Sequence, residues 1–454
     1  MAERLIVIGG TAAGLSAASK LKRLKPDIEI LVFEKSGYVS YGSCGLPYFV
    51  GDLIKEPEDL VSLTVEELTQ KRNIQTYIHH EVTSIDREKK TVTVRDMSTG
   101  LDESHSYTYL VIATGGVPIV PSIQGIGAEN VFYLRNVEDG IALKHKMKHQ
   151  ARRAVIIGGG FIGLEVAEAF RLSGLEVHLF EQMPRLLPFL HESFSAQALA
   201  VLEKNKVEVS LGTMIAEIVQ KDGIATGVRT ADGIYYEADC ILLSVGVLPN
   251  SRLAKQAGLE TGLKGGIVVD EYMNTSDSSI WACGDCVQMF QLITGRPVYV
   301  PLGTTANKQG RIAGENIAGA HHAFKGVLGS QITKIFELFM GSTGLSSAQA
   351  AGADFDAETV VIKKGDKASY YPGGGDNQIC LVFEKAGGRL LGAQAIGSET
   401  IAGRLNVLAT AITCKMTIDE INELDFVYAP PVAPVYDPIL IAAGQALKKV
   451  TGGK

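Results

Sequence analysis

The stretch SYGSCGLPYFVGD, residues 40–52, sets Cys44 beside Ser43 and ahead of a Gly-Leu-Pro turn, in a chain with only six cysteines. A thiol does nucleophilic or redox work as its thiolate, and free cysteine, with a pKa of about 8.5, is mostly protonated at neutral pH. YGSCGLPY reads as a turn into a helix, whose N-terminal amides are expected to lower the pKa of Cys44. The other five cysteines lack such a setting. Cys240 and Cys380 fall in strand patterns and Cys414 in a helical one, which assigns all three to the core. Cys283 and Cys286 form a CxxC around Gly284–Asp285, but no second CxxC follows, so no metal site is expected. His79 and His80 have no spaced partners and read as surface residues.

A lone redox thiol needs an electron source, and the elements that would supply one are written twice. RLIVIGGTAAGLSAASKLKRLKPDIEILVFEK, residues 4–35, is echoed by RAVIIGGGFIGLEVAEAFRLSGLEVHLFEQ, residues 153–182. Each copy reads as a buried strand, a glycine turn, an amphipathic helix and a second strand closed by an acid. In such a βαβ unit the amides of the turn face a pyrophosphate and the acid accepts ribose hydroxyls. The second copy has the full GxGxxG in Gly158, Gly160 and Gly163, with Glu181 as the acid. The first has Gly9, Gly14 and Glu34, but Thr11 occupies the middle glycine position. One such loop is weak evidence; two imply two dinucleotides, most simply a flavin and a nicotinamide. Glu181 would repel a ribose 2′-phosphate and so favours NADH over NADPH, a preference that nearby Arg185 blurs.

At 454 residues and roughly 150 per domain, the chain has room for about three domains. A net charge of −7 with 20% charged residues gives no reason to expect nucleic acid or an anionic membrane as a partner. No apolar run reaches the roughly 20 residues of a membrane span, and LIVIGG starts at Leu5, leaving no room for a signal peptide. A cytoplasmic location, with thiols kept reduced, is the expectation.

YLVIATGG and CILLSVGVLPN each read as a strand ending in a small residue and glycine, where the chain leaves one nucleotide fold for another, and IWACGDC reads as a strand that ends at Gly284 and Asp285. With these segments the chain resembles, over essentially its whole length, the two-dinucleotide-domain flavoproteins of the pyridine nucleotide-disulfide oxidoreductase superfamily. That resemblance implies an α/β fold with two Rossmann-like domains, as in glutathione reductase, and a C-terminal α+β dimerisation domain. Residues 1–115 and 250–325 would form a discontinuous FAD domain, 116–249 the NAD(P)H domain and 326–454 the dimerisation domain. It further implies that Gly9, Gly14, Glu34, Thr114, Gly115 and Asp285 serve FAD. Gly158, Gly160, Gly163 and Glu181 would serve NADH or NADPH, and Lys35, Ser43, Gly246 and Pro301 would be further cofactor-binding residues.

Dithiol members of that superfamily carry CxxxxC, whereas Phe49 stands five positions after Cys44, and FVYAPPVAPVYDP replaces their C-terminal histidine segment. The chain is therefore similar to the single-cysteine branch, which holds coenzyme A disulfide reductases, CoA-linked persulfide and polysulfide reductases, and NADH oxidases and peroxidases. The branch motif SxxxCGxPY is met by Ser40, Cys44, Gly45, Pro47 and Tyr48. Cys44 would form either a mixed disulfide with a substrate sulfur or a sulfenic acid with oxygen. Oxygen-reducing relatives usually carry a histidine in the first glycine loop where this chain has Ala12, which favours sulfur. The segments YYPGG and FVYAPP resemble the tyrosine-bearing segments of coenzyme A disulfide reductases. By that resemblance Tyr428, with Tyr371 or Tyr370, would protonate the departing thiolate in a homodimer whose active site is completed by the partner's C-terminal domain. A phenol of pKa about 10 is a serviceable acid for that step. Coenzyme A, as substrate or mixed disulfide, would touch Lys20, Arg23, Ser40, Lys71, Asn307 and Arg311. A flavoprotein redox sensor that uses Cys44 as a switch is the non-enzymatic alternative.

Overall fold

The computed structural model describes residues 3–451. The aliphatic runs of the two repeats become the central strands of two separate parallel sheets. In the first, β1 (Arg4–Ile8) lies between β2 (Glu29–Phe33) and the strand Tyr109–Ile112, with Ile280–Ala282 and Gln75–Tyr77 at the edges. In the second, Arg153–Ile157 lies between Glu176–Glu181 and Cys240–Leu243, flanked by Val207–Leu211 and Val131–Phe132. Helices cover these sheets, so their strands are unbroken apolar runs rather than alternating ones. Leu5, Ile6 and Val7 in one and Ala154, Val155 and Ile156 in the other are buried.

The first sheet takes strands from both before and after the second. Where the chain crosses over, Gly116–Pro118 and Val247–Pro249 pair as a two-stranded antiparallel ribbon. Helix α1 (Ala12–Leu24) follows the first glycine loop and packs against the helix Gly303–Ile317. A short helix α2 (Leu46–Val50) follows Cys44. Its Leu46, Phe49 and Val50 share one apolar cluster with Leu143 and Met147 of α3 (Val137–Gln150) and Val166 and Ala169 of α4 (Phe161–Leu172). The cysteine loop is thereby held by the second nucleotide fold as well as the first.

The C-terminal part is a five-stranded antiparallel sheet in the order Gln331–Ile335, Leu338–Gly344, Leu390–Gly397, Asp376–Glu384, Ala357–Gly365. Helices Ile401–Thr413, Ile418–Asn422 and Pro438–Leu447 close its core through Leu405, Leu408, Ile421, Ile439 and Ala443. The assignment of Cys414 to a helix core is corrected here. The helix ends at Thr413, Lys415 turns with φ 58°, and Cys414 at the cap is exposed. Cys240 and Cys380 are buried. Among the described residues no helix is long and apolar enough to cross a membrane.

Candidate active site

The two glycine turns are near copies in space. Gly9 and Gly158 take φ 109° and 113°, a region that favours glycine. A Cβ on Gly14 would sit 2.0 Å from Gly9 O, and one on Gly163 would sit 2.1 Å from Gly158 O. Each helix must therefore start tight against its own turn. The acids match as well. Glu34 accepts from Gly10 N at 2.8 Å and Ser36 N at 2.9 Å; Glu181 accepts from Gly159 N at 2.7 Å and Met183 N at 2.8 Å. Neither α1 nor α4 carries an acid in its first turn or a side-chain cap on its N-terminus, so both helix ends suit an anion. Thr11 breaks the motif without breaking the turn. At the matching position, Gly160, an added Cβ meets nothing within 4 Å. These cradles fit two dinucleotides.

Around the first cradle, Asn250 N donates to Gly115 O at 2.9 Å, and the Thr114 hydroxyl donates to Asn250 O. Asp285 is paired with Arg135 at 2.7 Å, and Arg135 also donates from Nε to Gly116 O at 3.1 Å. The only local signal of Arg135 in the sequence is its place just before the Asn136–Asp139 capping box. Lys35 is exposed at the end of β2, Pro301 is half-buried just ahead of the helix Gly303–Ile317, and Gly246 is exposed beside the crossover ribbon. The CxxC of Cys283 and Cys286 is fully buried, and burial pushes both thiols up. Among the described residues no cluster of metal-ligating side chains forms.

Cys44 occupies a single 3-10 turn, Ser43–Gly45, immediately before α2. Ser40 tethers this loop to the first glycine turn: at φ 51° its N–H donates to Gly10 O at 2.9 Å. Ser43 and Cys44 are both exposed, yet protein crowds the thiol on several sides. That partial desolvation, reinforced by Glu165 and Asp285 and opposed by Arg135 and a hydrogen bond from Ser43, raises the thiol above its ordinary pKa. The expected lowering by helix amides is thus corrected: α2 is one short turn, and burial, with the nearby carboxylates, shifts the thiol the other way. Glu165 on α4 is itself raised by burial and is hydrogen-bonded by Thr333 of the C-terminal sheet. Tyr48 is pushed up to about 12, mainly by burial and then by Glu165. Cys44 thus stands within electrostatic reach of Asp285 beside the first cradle and of Glu165 on the helix of the second.

The cations expected to serve a substrate are less free than their types suggest. Lys20 pairs with Glu315 at 2.9 Å and Lys71 with Glu67 at 3.1 Å. Ser16 on α1 donates to Asn307 at 2.8 Å, so Lys20 and Asn307 share the seam between α1 and Gly303–Ile317, along which Arg23 and Arg311 are exposed. Lys71 lies on a separate turn. In the C-terminal part the phenol that meets Tyr428 is Tyr370, oxygen to oxygen at 3.0 Å, rather than Tyr371. The adjacent position loses because the turn at 369–370 directs residue 370 outward, leaving it 74% exposed against 40% for Tyr371. Among the described residues no hydrogen bond or ring contact joins this pair to the Cys44 loop within one chain.

Residues 3–325 match the pyridine nucleotide-disulphide oxidoreductase family, and residues 330–437 match the dimerisation domain of the same name. An NAD(P)H coenzyme A polysulfide/persulfide reductase of Pyrococcus horikoshii is 37% identical over 446 residues, 98% of each chain. An NADH oxidase of Methanocaldococcus jannaschii is 36% identical over 453 residues, 99% of each. Among solved structures, reduced Bacillus anthracis CoADR-RHD superposes with a TM-score of 0.96 at 34% identity, covering 99% of this chain and 81% of that one.

Proposed function

The chain belongs to the pyridine nucleotide-disulphide oxidoreductase family, and from that premise we propose that it reduces coenzyme A disulfide, CoA persulfide or polysulfide through Cys44 alone. Its class, an FAD- and NAD(P)H-dependent oxidoreductase, follows from the family; the single-thiol chemistry is our reading. The observation that carries it is the placement of Cys44, an exposed thiol on a loop that Ser40 ties to the first glycine turn and that α2 packs against α3 and α4 of the second nucleotide fold.

In this reading the FAD domain comprises residues 1–115 and 250–325, and the NAD(P)H domain 116–249. Gly9, Gly14, Glu34 and Asp285 hold FAD, and Gly158, Gly163 and Glu181 hold NAD(P)H. Bound there, FAD would supply the redox chemistry that links NAD(P)H to the sulfur centre. The Cys44 thiolate attacks one sulfur of the CoA disulfide, the S–S bond breaks, and a CoA thiolate leaves as a Cys44–S–S–CoA bond forms. Tyr428, backed by Tyr370, gives the leaving thiolate its proton. Two-electron reduction of the mixed disulfide then frees the second CoA thiol and restores Cys44. NAD(P)H, one proton and CoA disulfide thus give NAD(P)⁺ and two CoA thiols.

The match of residues 330–437 to a dimerisation domain supports a homodimer, in which we have each C-terminal domain complete the partner's site. Exposed Tyr370, Val427, Val432, Val435 and Tyr436 supply an apolar face for it. A second reading, an NADH oxidase with a Cys44 sulfenic acid, draws support from the Methanocaldococcus jannaschii relative. One experiment separates them: anaerobic NADH consumption with CoA disulfide and with polysulfide, then with oxygen alone, for the parent and Cys44→Ser. Sulfur-dependent turnover that is lost in Cys44→Ser is expected. Fastest turnover with oxygen would overturn the sulfur reading, and full sulfur activity in Cys44→Ser would overturn the mechanism.

A further inference from the structure

Tyr370 and Tyr428 lie on two loops, 366–375 and 423–437, outside any strand or long helix. Loops of this kind move freely unless something ties them. Both are tied to one buried guanidinium. Arg404, on the helix Ile401–Thr413, is 7% exposed. Its Nε and Nη2 donate to the Asp437 carboxylate at 3.0 and 2.8 Å, Nη2 also donates to the Asp366 carbonyl at 3.2 Å, and Nη1 donates to Thr400 Oγ1 at 2.7 Å.

Asp437 ends the Tyr428 loop and caps the helix Pro438–Leu447, accepting from Ile439 N at 2.9 Å. Asp366 begins the Tyr370 loop, and its Oδ1 accepts from Gly375 N, the loop's far end, at 2.9 Å. Its Oδ2 accepts from Ser398 Oγ at 2.7 Å. One cation therefore sets the root of both tyrosine loops. A buried ion pair of this kind adds little stability over an apolar core of the same shape, because desolvation offsets the attraction. What it does supply is direction, since a planar fork accepts partners only along fixed lines.

We propose that Arg404 is a positioning residue whose fork clamps the two loops in the arrangement that brings the phenols of Tyr370 and Tyr428 to hydrogen-bond distance. The catalytic half of this proposal rests on the role given above to Tyr428; the structural half does not. Arg404→Lys keeps the charge but loses the fork, and Asp437→Asn keeps the shape but loses the ion pair.

The test uses the flavin-loaded protein and two readouts. Hydrogen exchange in segments 366–375 and 423–437 should quicken together in both variants, on the order of tenfold, while the strands of the C-terminal sheet keep the parent's protection. In rapid mixing, reduction of the enzyme by NADH should stay within about twofold of the parent, while its reoxidation by CoA disulfide should slow by about tenfold or more. Arg404→Met is expected to follow Arg404→Lys if it folds. Loosening of one loop alone, or of the whole sheet, overturns the clamp. Joint loosening with unchanged reoxidation overturns its positioning role. Tyr428→Phe, run alongside, separates the two claims: if it reoxidises at the parent's rate, the tyrosine assignment falls and takes the catalytic half with it, while exchange alone still decides the clamp.

Discussion

The phenolic oxygens of Tyr370 and Tyr428 stand 3.0 Å apart although 58 residues separate them along the chain. The hydrogen bond shared with Tyr370 is the main reason that the Tyr428 phenol is raised above its ordinary pKa, so it carries its proton at neutral pH and is a weaker acid than a free phenol. Tyr428→Phe should slow reoxidation by CoA disulfide roughly tenfold to a hundredfold, at the modest end for a general acid because a thiolate leaves readily. Tyr370→Phe should have a smaller effect and Tyr371→Phe almost none. Stopped-flow traces of the reduced enzyme mixed with CoA disulfide give this ranking directly, and a dominant Tyr371 would reverse it.

The charges around Cys44 make a signed prediction for the cofactor-free protein. A raised thiol pKa means that the neutral form persists to higher pH, so alkylation by iodoacetamide should climb with a midpoint above the roughly 8.5 of free cysteine. Glu165→Gln removes a charge that opposes the thiolate and should lower the midpoint, speeding alkylation at pH 8 by about two- to tenfold. Arg135→Gln removes a charge that favours it and should act in the opposite sense. Mass spectrometry of timed, pH-stepped reactions reads both, and shifts of the same sign would show that these charges do not govern Cys44.

Steric space at the second glycine turn distinguishes its glycines. Gly163→Ala puts a Cβ 2.1 Å from Gly158 O and should destabilise the protein by at least ~2 kcal/mol, seen in chemical denaturation. Gly160→Thr, which copies the first turn, places a Cβ with no neighbouring atom within 4 Å and should unfold like the parent while binding NADH more weakly. Marked destabilisation by Gly160→Thr would mean that the two turns are not equivalent.

In the proposed NAD(P)H site nicotinamide choice would turn on Glu181, since Arg185 is engaged with its own loop, donating to Pro188 O at 2.6 Å. Glu181→Ala should raise kcat/KM for NADPH relative to NADH by about tenfold, equivalent to about 1.4 kcal/mol of relieved repulsion. Steady-state kinetics with both nucleotides measures the ratio; an unchanged ratio would remove Glu181 from the ribose site.

The sequence alone sufficed for the two βαβ units, their acids and the singular Cys44, because strand, glycine turn and helix are local events whose periodicity and backbone demands are written within some thirty residues. Tertiary structure decided the rest. Arg135 reaches Asp285 across 150 positions, and Glu165 joins the Cys44 environment only because α2 packs between α3 and α4. Whether the thiol's pKa rises or falls is set by the sum of those distant charges and by burial, and neither quantity exists until the chain is folded. The same holds for Tyr370 over Tyr371, adjacent in sequence and equal in chemistry, where only the path of the loop selects the partner of Tyr428.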